Sequence, residues 1–313
     1  METRRLGKTD LQVSVVGLGT WALGGDFFGA VDDDQSVRAI QAAVDSGINL
    51  VDTAPAYGAG HAEEVVGRAL EGRRDRVVVA TKVGVLREGG EFIRNLKPES
   101  IRKEIDDSLR RLRVDVIDLY QVHWPDTDTP LEDSLEELAR IREAGKFRYL
   151  GVSNFGPELM DRAAAVTEIV SLQPHYSLLR RDIERDALPY CRERGLGVLS
   201  YGTLAGGILT GKFREIPKFE EGDRRGDFYD FFKEPVWSRV QGLLDVLGTI
   251  ADERGRTTAQ VAVRWAVQQP GITTALVGAK TPEQARSNAE AGDWELSADE
   301  LRRIDLALRA YFQ

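Results

Sequence analysis

Four side chains in the first half of this 313-residue chain could do acid–base chemistry together: Asp52, Tyr57, Lys82 and His123. Asp52 lies in the apolar run NLVDTA (49–54), Lys82 near the end of RVVVATKV (76–83), and His123 at the end of VIDLYQVH (116–123). Tyr57 follows Asp52 in the loop DTAPAYG. Neighbouring strands lie ~4.8 Å apart, so three adjacent strand ends can bring these groups into one pocket. Each also has an ordinary reading. A strand-end Asp often caps the next helix, a lone loop Tyr carries no message, and a lone His is more often a core residue than a catalyst. Lys82 is harder to dismiss, because buried lysines are rare unless paired.

Carbonyl reduction gives these residue types a common purpose. It needs a hydride on carbon and a proton on oxygen. Tyrosine, with an ordinary pKa of ~10, is a poor proton carrier in both directions at neutral pH. A nearby Lys82 ammonium would stabilise the phenolate and lower that pKa. Asp52 would keep Lys82 charged and aimed. A neutral His123 could hydrogen-bond the substrate oxygen. The same Lys82 also suits a different chemistry, attack on a carbonyl as the Schiff-base nucleophile of a lyase or aldolase.

The elements that must position these groups are legible. Eight β-rich runs, at 13–19, 49–54, 76–83, 116–123, 147–154, 169–176, 196–203 and 273–279, alternate with amphipathic segments. They lack period-2 alternation, as strands buried on both faces do. Helix signals fill the gaps: Gly47 after 34–46, Pro98 opening 97–112, Pro130 opening 129–145 and Thr281 capping 281–292. The count predicts an α/β fold, a (β/α)8 TIM barrel, over an open doubly wound sheet. GLGTWALGG follows the first strand and lacks the GxGxxG spacing of a dinucleotide fold. Residues 1–12 read as a β-hairpin cap turning at Gly7-Lys8. Residues 294–310 read as an extra C-terminal helix begun by a Ser297–Glu300 capping box. No linker divides the chain, so residues 1–313 are expected to form one domain. The polar and aromatic stretch 213–235 is either a docked lid or a surface excursion anchored by its aromatics.

The tetrad resembles that of the aldo-keto reductase family in residue type, order and strand position. GLGTWALGG (17–25), GVSNF (151–155), SLQPHYSLLRR (171–181), YGTLAGGILTGK (201–212) and VGAKTPEQARSN (277–288) resemble further family segments in family order. The resemblance covers almost the whole chain. It implies that Ser153, Asn154 and Gln173 bind the nicotinamide carboxamide and that Tyr201 stacks on the nicotinamide ring. Gly202, Leu204 and Gly206, with Lys212 closing the segment, would line the pyrophosphate, where small residues admit backbone N–H donors. Thr20 and Trp21 would lie beside the nicotinamide, and Asp52 also borders it. Gly278 and Lys280, next to the Thr281 cap, would receive a ribose 2′-phosphate, and Gln284 and Asn288 would face the adenine. Gln284 stands where many family members carry an arginine.

The expected cofactor is therefore NADP(H), with NAD(H) as the alternative. The expected activity is reversible reduction of aldehydes and ketones. Trp21, Tyr57, His123 and Trp124 would contact the substrate, with Phe27 and Phe28 at the mouth. A cofactor-binding regulatory subunit of the same fold is the third reading.

Composition bounds the rest. The net charge of −9 argues against nucleic acid and anionic membrane partners. One cysteine, Cys191, excludes a disulfide framework. The three histidines are too scattered for a metal site, His61 reads as a surface residue, and His175 has no assigned role. METRRLGKTDLQ is too polar for a secretory signal. A cytoplasmic monomer acting on a small carbonyl compound is the expectation.

Overall fold

The computed structural model describes residues 1–312. Eight parallel strands close into a barrel in chain order: β3 (Val16–Gly19), β4 (Leu50–Asp52), β5 (Val78–Val83), β8 (Ile117–Val122), β9 (Phe147–Ser153), β10 (Ser171–Gln173), β11 (Gly197–Ser200) and β12 (Thr274–Gly278), which pairs back onto β3. Every predicted strand run contributes one barrel strand. The first run, 13–19, divides: β1 (Thr3–Arg5) pairs antiparallel with β2 (Gln12–Ser14), and β3 starts only after Val15. The hairpin cap thus extends two residues beyond its predicted end.

The barrel has two cores. Leu50, Ala80, Leu119, Val170, Leu199 and Leu276 fill its interior, and Leu6, Leu11 and Val13 of the hairpin plug it. A larger apolar cluster fills the space between strands and helices. This double burial explains the missing alternation, since all six residues of β8 are buried.

The helices are α1 (Asp33–Asp45), α2 (His61–Ala69), α3 (Pro98–Leu112), α4 (Leu131–Glu143), α5 (Pro157–Val166), α6 (Ala187–Arg194), α7 (Arg225–Phe228), α8 (Val236–Arg254), α9 (Thr258–Gln268), α10 (Pro282–Ala289) and α11 (Ala298–Phe312). The capping chemistry is the predicted one at several ends. Gly47 leaves α1 at φ 91°, and Ser297 and Glu300 bond reciprocally at the start of α11.

Two features go beyond the expected plan. A second hairpin, β6 (Val85–Glu88) and β7 (Glu91–Arg94), follows β5. Its signal was a Gly89-Gly90 pair between two short runs, a turn that favours positive φ. The segment 213–235 is docked: Phe213, Phe219 and Phe232 pack edge to face, and Tyr229, Phe231 and Phe232 are buried. Arg224 N donates to Phe27 O (2.9 Å), and Asp223 bridges to Phe28. Among the described residues, no helix is long and apolar enough to cross a membrane.

Candidate active site

Asp52 ends β4, Lys82 lies in β5 and His123 follows β8, so all three leave the C-terminal rim of neighbouring strands. The β4–α2 loop carries Tyr57 back over the rim. Its approach depends on Gly58, at φ 63°, where an added Cβ would stand 2.2 Å from Gly24 O. Tyr57 also stacks on Trp21, with ring centroids 6.0 Å apart.

Lys82 is completely buried. Its Nζ donates to Asp52 Oδ2 (2.6 Å), Thr53 O (2.9 Å) and Tyr57 Oη (3.2 Å). An ammonium has three hydrogens, and all three are engaged. Asp52 is equally well held: its Oδ1 accepts from Gln121 Nε2 (3.1 Å) and Gln173 Nε2 (2.8 Å), and its backbone O accepts from Thr20 Oγ1 (3.0 Å). The His123 ring stands edge-on to Tyr57, centroids 5.9 Å apart, and its Nδ1 is buried without a hydrogen-bond partner.

The electrostatics of this group correct one expectation. Burial, and then the charge of Asp52, push the Tyr57 hydroxyl well above the usual tyrosine range. Lys82 does not produce a lowered phenol, because Asp52 offsets the ammonium's field and burial disfavours the phenolate. Burial pulls Lys82 down against the opposing effect of Asp52. Burial and the Lys82 charge hold His123 well below its ordinary value, so the imidazole is neutral. The site therefore holds a protonated phenol beside a cation and an uncharged imidazole. It can deliver a proton to an oxygen placed between Tyr57 and His123.

The residues expected around a nicotinamide join this network. Ser153 Oγ donates to Gln173 O (2.7 Å), and Asn154 Nδ2 donates to Ser153 Oγ (3.0 Å) and His123 O (3.1 Å). Tyr201 Oη donates to Asn154 Oδ1 (3.0 Å). The Tyr201 ring stacks on His175 at 5.0 Å, and burial, with Arg180 nearby, pulls His175 down to about 4.

Gly202, Leu204 and Gly206 lie in a loop that runs into a 3-10 segment, Ala205–Thr210, with left-handed backbone at Ala205, Gly206 and Gly207. Ala205 N and Gly207 N donate within the loop, to Gly202 O and Leu204 O (both 2.8 Å). Arg225 Nη1 donates to Gly206 O (3.1 Å), while Lys212 is exposed with Nζ 4.6 Å from the Phe213 ring centroid. At the far end, Lys280 Nζ donates to Phe28 O (2.6 Å) and Ala30 O (3.3 Å), and Thr281 caps α10. Gln284 Oε1 accepts from Lys280 N (2.8 Å) and Asn288 Nδ2 donates to Gly278 O (3.1 Å), so both brace the 278–280 backbone. Arg286 is exposed and pairs with Glu283 on its own helix.

The aromatic wall is built from Trp21 with Phe27 (4.4 Å), Phe28 (5.2 Å) and Phe228 (5.9 Å). Phe228 comes from the docked segment and is 58% exposed. Trp124, beside His123, lies under the Arg94 guanidinium of the unexpected hairpin (4.9 Å). His61 is not a free surface residue, since its Nε2 lies 2.9 Å from Asp33 Oδ1. Among the described residues, no group of three or more His, Cys, Asp or Glu could hold a metal ion. Sequence reasoning missed Gln121 and Thr53. Gln121 did leave a signal, an amide inside the apolar run VIDLYQV, which must find partners if buried.

The model of the aldo/keto reductase family matches residues 15–309. The chain belongs to this family. It is 40% identical over 311 residues to aldo-keto reductase YhdN of Bacillus subtilis (strain 168), covering 98% of this chain and 94% of that one. Its fold is similar to that of the glycerol dehydrogenase AKR11B4 from Gluconobacter oxydans (TM-score 0.91, 42% identity, 99% of this chain and 96% of that one). It is also similar to an aldo/keto reductase from Klebsiella pneumoniae solved in complex with NADP and acetate (TM-score 0.75, 33% identity, 99% and 95%). As an aldo/keto reductase, this protein is an oxidoreductase.

Proposed function

We propose that this protein reduces aldehydes and ketones reversibly with NADP(H), Tyr57 donating the proton. One observation carries the reading: a wholly buried ammonium, Lys82, bridging the Asp52 carboxylate and the Tyr57 hydroxyl. The groove beside it fits a nicotinamide dinucleotide. The small residues Gly206 and Gly207 would let a pyrophosphate approach the backbone, and Arg225 lies near both Lys212 and Lys280, where burial and then the Arg225 charge lower both lysines. Ser153, Asn154, Gln173 and Tyr201 would hold the nicotinamide end with Thr20 and Trp21 beside it. Gly202, Leu204, Gly206 and Lys212 would hold the pyrophosphate, and Gly278, Lys280, Gln284 and Asn288 the adenosine end. The bound cofactor supplies the hydride.

The chain's own groups do the rest. His123 orients the carbonyl oxygen through a neutral ring nitrogen. Tyr57 gives its proton to that oxygen, and the Lys82 ammonium stabilises the phenolate left behind. Asp52 keeps Lys82 charged in a buried setting. In the oxidation direction, the same phenolate takes the alcohol proton. Aromatic walls at Trp21, Phe27, Phe28 and Phe228 suit carbonyls with apolar substituents. The Schiff-base alternative is disfavoured, because Lys82 donates three hydrogen bonds and has no lone pair to attack with.

The test is to titrate NADPH and NADH separately by tryptophan fluorescence, then assay a panel of aldehydes with the tighter one. Turnover is expected, with NADPH binding more tightly. Tyr57→Phe should lower kcat by about 10²–10⁴-fold while cofactor affinity barely moves. Full activity in that variant would sink the mechanism. Tight cofactor binding without turnover of any carbonyl would point to the regulatory subunit instead.

A further inference from the structure

The hairpin of β6 and β7 follows Lys82 at the rim of the barrel, and nothing in the proposed chemistry uses it. Its cross-strand partners Val85 and Arg94, and Arg87 and Phe92, share one face. From that face Arg94 covers Trp124, beside His123, and Arg87 reaches Asp26 in the loop between β3 and α1, with Nη2 and Oδ2 3.1 Å apart. That loop carries the aromatic wall of Trp21, Phe27 and Phe28. It also rests on the Tyr57 loop, since a Cβ added to Gly24 would stand 2.8 Å from Gly58 N. Arg87 and Arg94 thus connect the two sides of the substrate mouth through one hairpin.

The Arg87 and Asp26 side chains are 12% and 21% exposed, so water and salt screen their attraction less than at an open surface. The Arg87 guanidinium also lies on the Phe92 ring, 4.3 Å from its centroid, which restricts its direction. Other bonds hold each side only from its far end. Lys280 Nζ and Arg224 N bond the carbonyls of Phe28 and Phe27, while the hairpin is held at its base, where Glu104 Oε2 accepts from Gly84 N (3.0 Å) and Asp126 Oδ2 from Leu96 N (2.9 Å). Neither Asp26 oxygen has another hydrogen-bond partner among the described residues. We propose that the Asp26–Arg87 ion pair is a specificity-determining clasp, tying the hairpin to the aromatic wall and limiting how wide a carbonyl substituent the mouth admits. The inference rests on the reading of this rim as a carbonyl-reducing site. Removing either charge leaves the other shielded and unpaired, so the survivor turns toward water and the hairpin parts from the wall.

The experiment measures kcat and KM with NADPH for benzaldehyde and for the wider naphthaldehyde. Arg87→Met keeps the length of the side chain without its charge, and Asp26→Asn keeps the shape of the carboxylate. Each should shift the kcat/KM ratio toward naphthaldehyde by about tenfold, the low end of what pocket size discriminates. The shift should lie in a lower KM for naphthaldehyde, with kcat for benzaldehyde barely changed, because Asp52, Tyr57, Lys82 and His123 are untouched. The double variant should shift the ratio no further than either single one, since both remove the same link. Arg87→Lys, which keeps the charge, should retain most of the wild-type preference. Circular dichroism and melting identify a variant that does not fold, and Asp26→Asn, the smaller change, decides if Arg87→Met fails. An unchanged ratio, equal loss for both aldehydes, or additive shifts in the double variant overturns the proposal. Failure of the wild-type protein to turn over any carbonyl overturns the proposed function instead.

Discussion

Tyr57 and His123 are held in opposite senses by the same surroundings. Burial disfavours charge on both, and the Asp52–Lys82 pair adds to each: the carboxylate opposes the phenolate, and the ammonium opposes the imidazolium. Both groups are therefore neutral through the middle of the pH range. The proposed reduction needs a protonated Tyr57 and an uncharged His123. Its kcat should be flat from about pH 6.5 upward until Lys82, which burial pulls below the ordinary lysine range, loses its proton; the shifts of Tyr57 and His123 push their own limits outward. The alcohol-oxidation rate, which needs the phenolate, should climb across the same range. Steady-state profiles in both directions test this, and an alkaline loss of reduction centred below pH 8 would count against it. Asp52, Tyr57, Lys82 and His123 were legible as residue types on adjacent strands. The Tyr57 shift was not, because its direction depends first on how deeply the phenol is buried and then on how close Asp52 lies.

At the scale of elements, the segment 213–235 and the loop after β11 act on each other. Tyr229 packs on Gly206, where an added Cβ would lie 2.7 Å from the ring, and Gly206 holds φ 68°. Gly206→Ala would clash with Tyr229 and strain the backbone, so it should loosen both the loop and the segment clasped to it. An affinity loss of about tenfold for NADPH is expected, equivalent to ~1.4 kcal/mol, with the barrel's melting temperature nearly unchanged. The sequence marked this stretch only as aromatic and long. Whether it docks depends on partners far along the chain, among them the Phe27 carbonyl and the Gly206 carbonyl. The hairpin of β6 and β7 escaped for a related reason. Its runs are four residues each, too short for periodicity to speak, and only the Gly-Gly turn announced it.

The whole molecule keeps stability and chemistry at opposite ends of the barrel. The N-terminal hairpin plugs the interior through Leu6, which is fully buried against the inner apolar cluster. Leu6→Ala should cost about 2–5 kcal/mol in urea unfolding, the usual range for a buried leucine truncated in a packed core. The proposed reductase activity at the opposite rim should survive in the folded fraction. A large loss of kcat with little loss of stability would mean that the two ends are coupled.

The chain's linear order by itself determined the barrel, the strand sequence around it and the four titratable groups at its rim. Parallel strands buried on both faces read as unbroken apolar runs, and a polar residue at the end of such a run has few places to go. Tertiary structure decided what those groups touch. Lys82 saturates on Asp52, Thr53 and Tyr57, and Gln121 reaches both Asp52 and Gln173 across two strand gaps. Such contacts join residues 25 to 121 positions apart. Hydrogen-bond partnership depends on ångström distances and on which end of an amide faces inward, and neither is written in residue order.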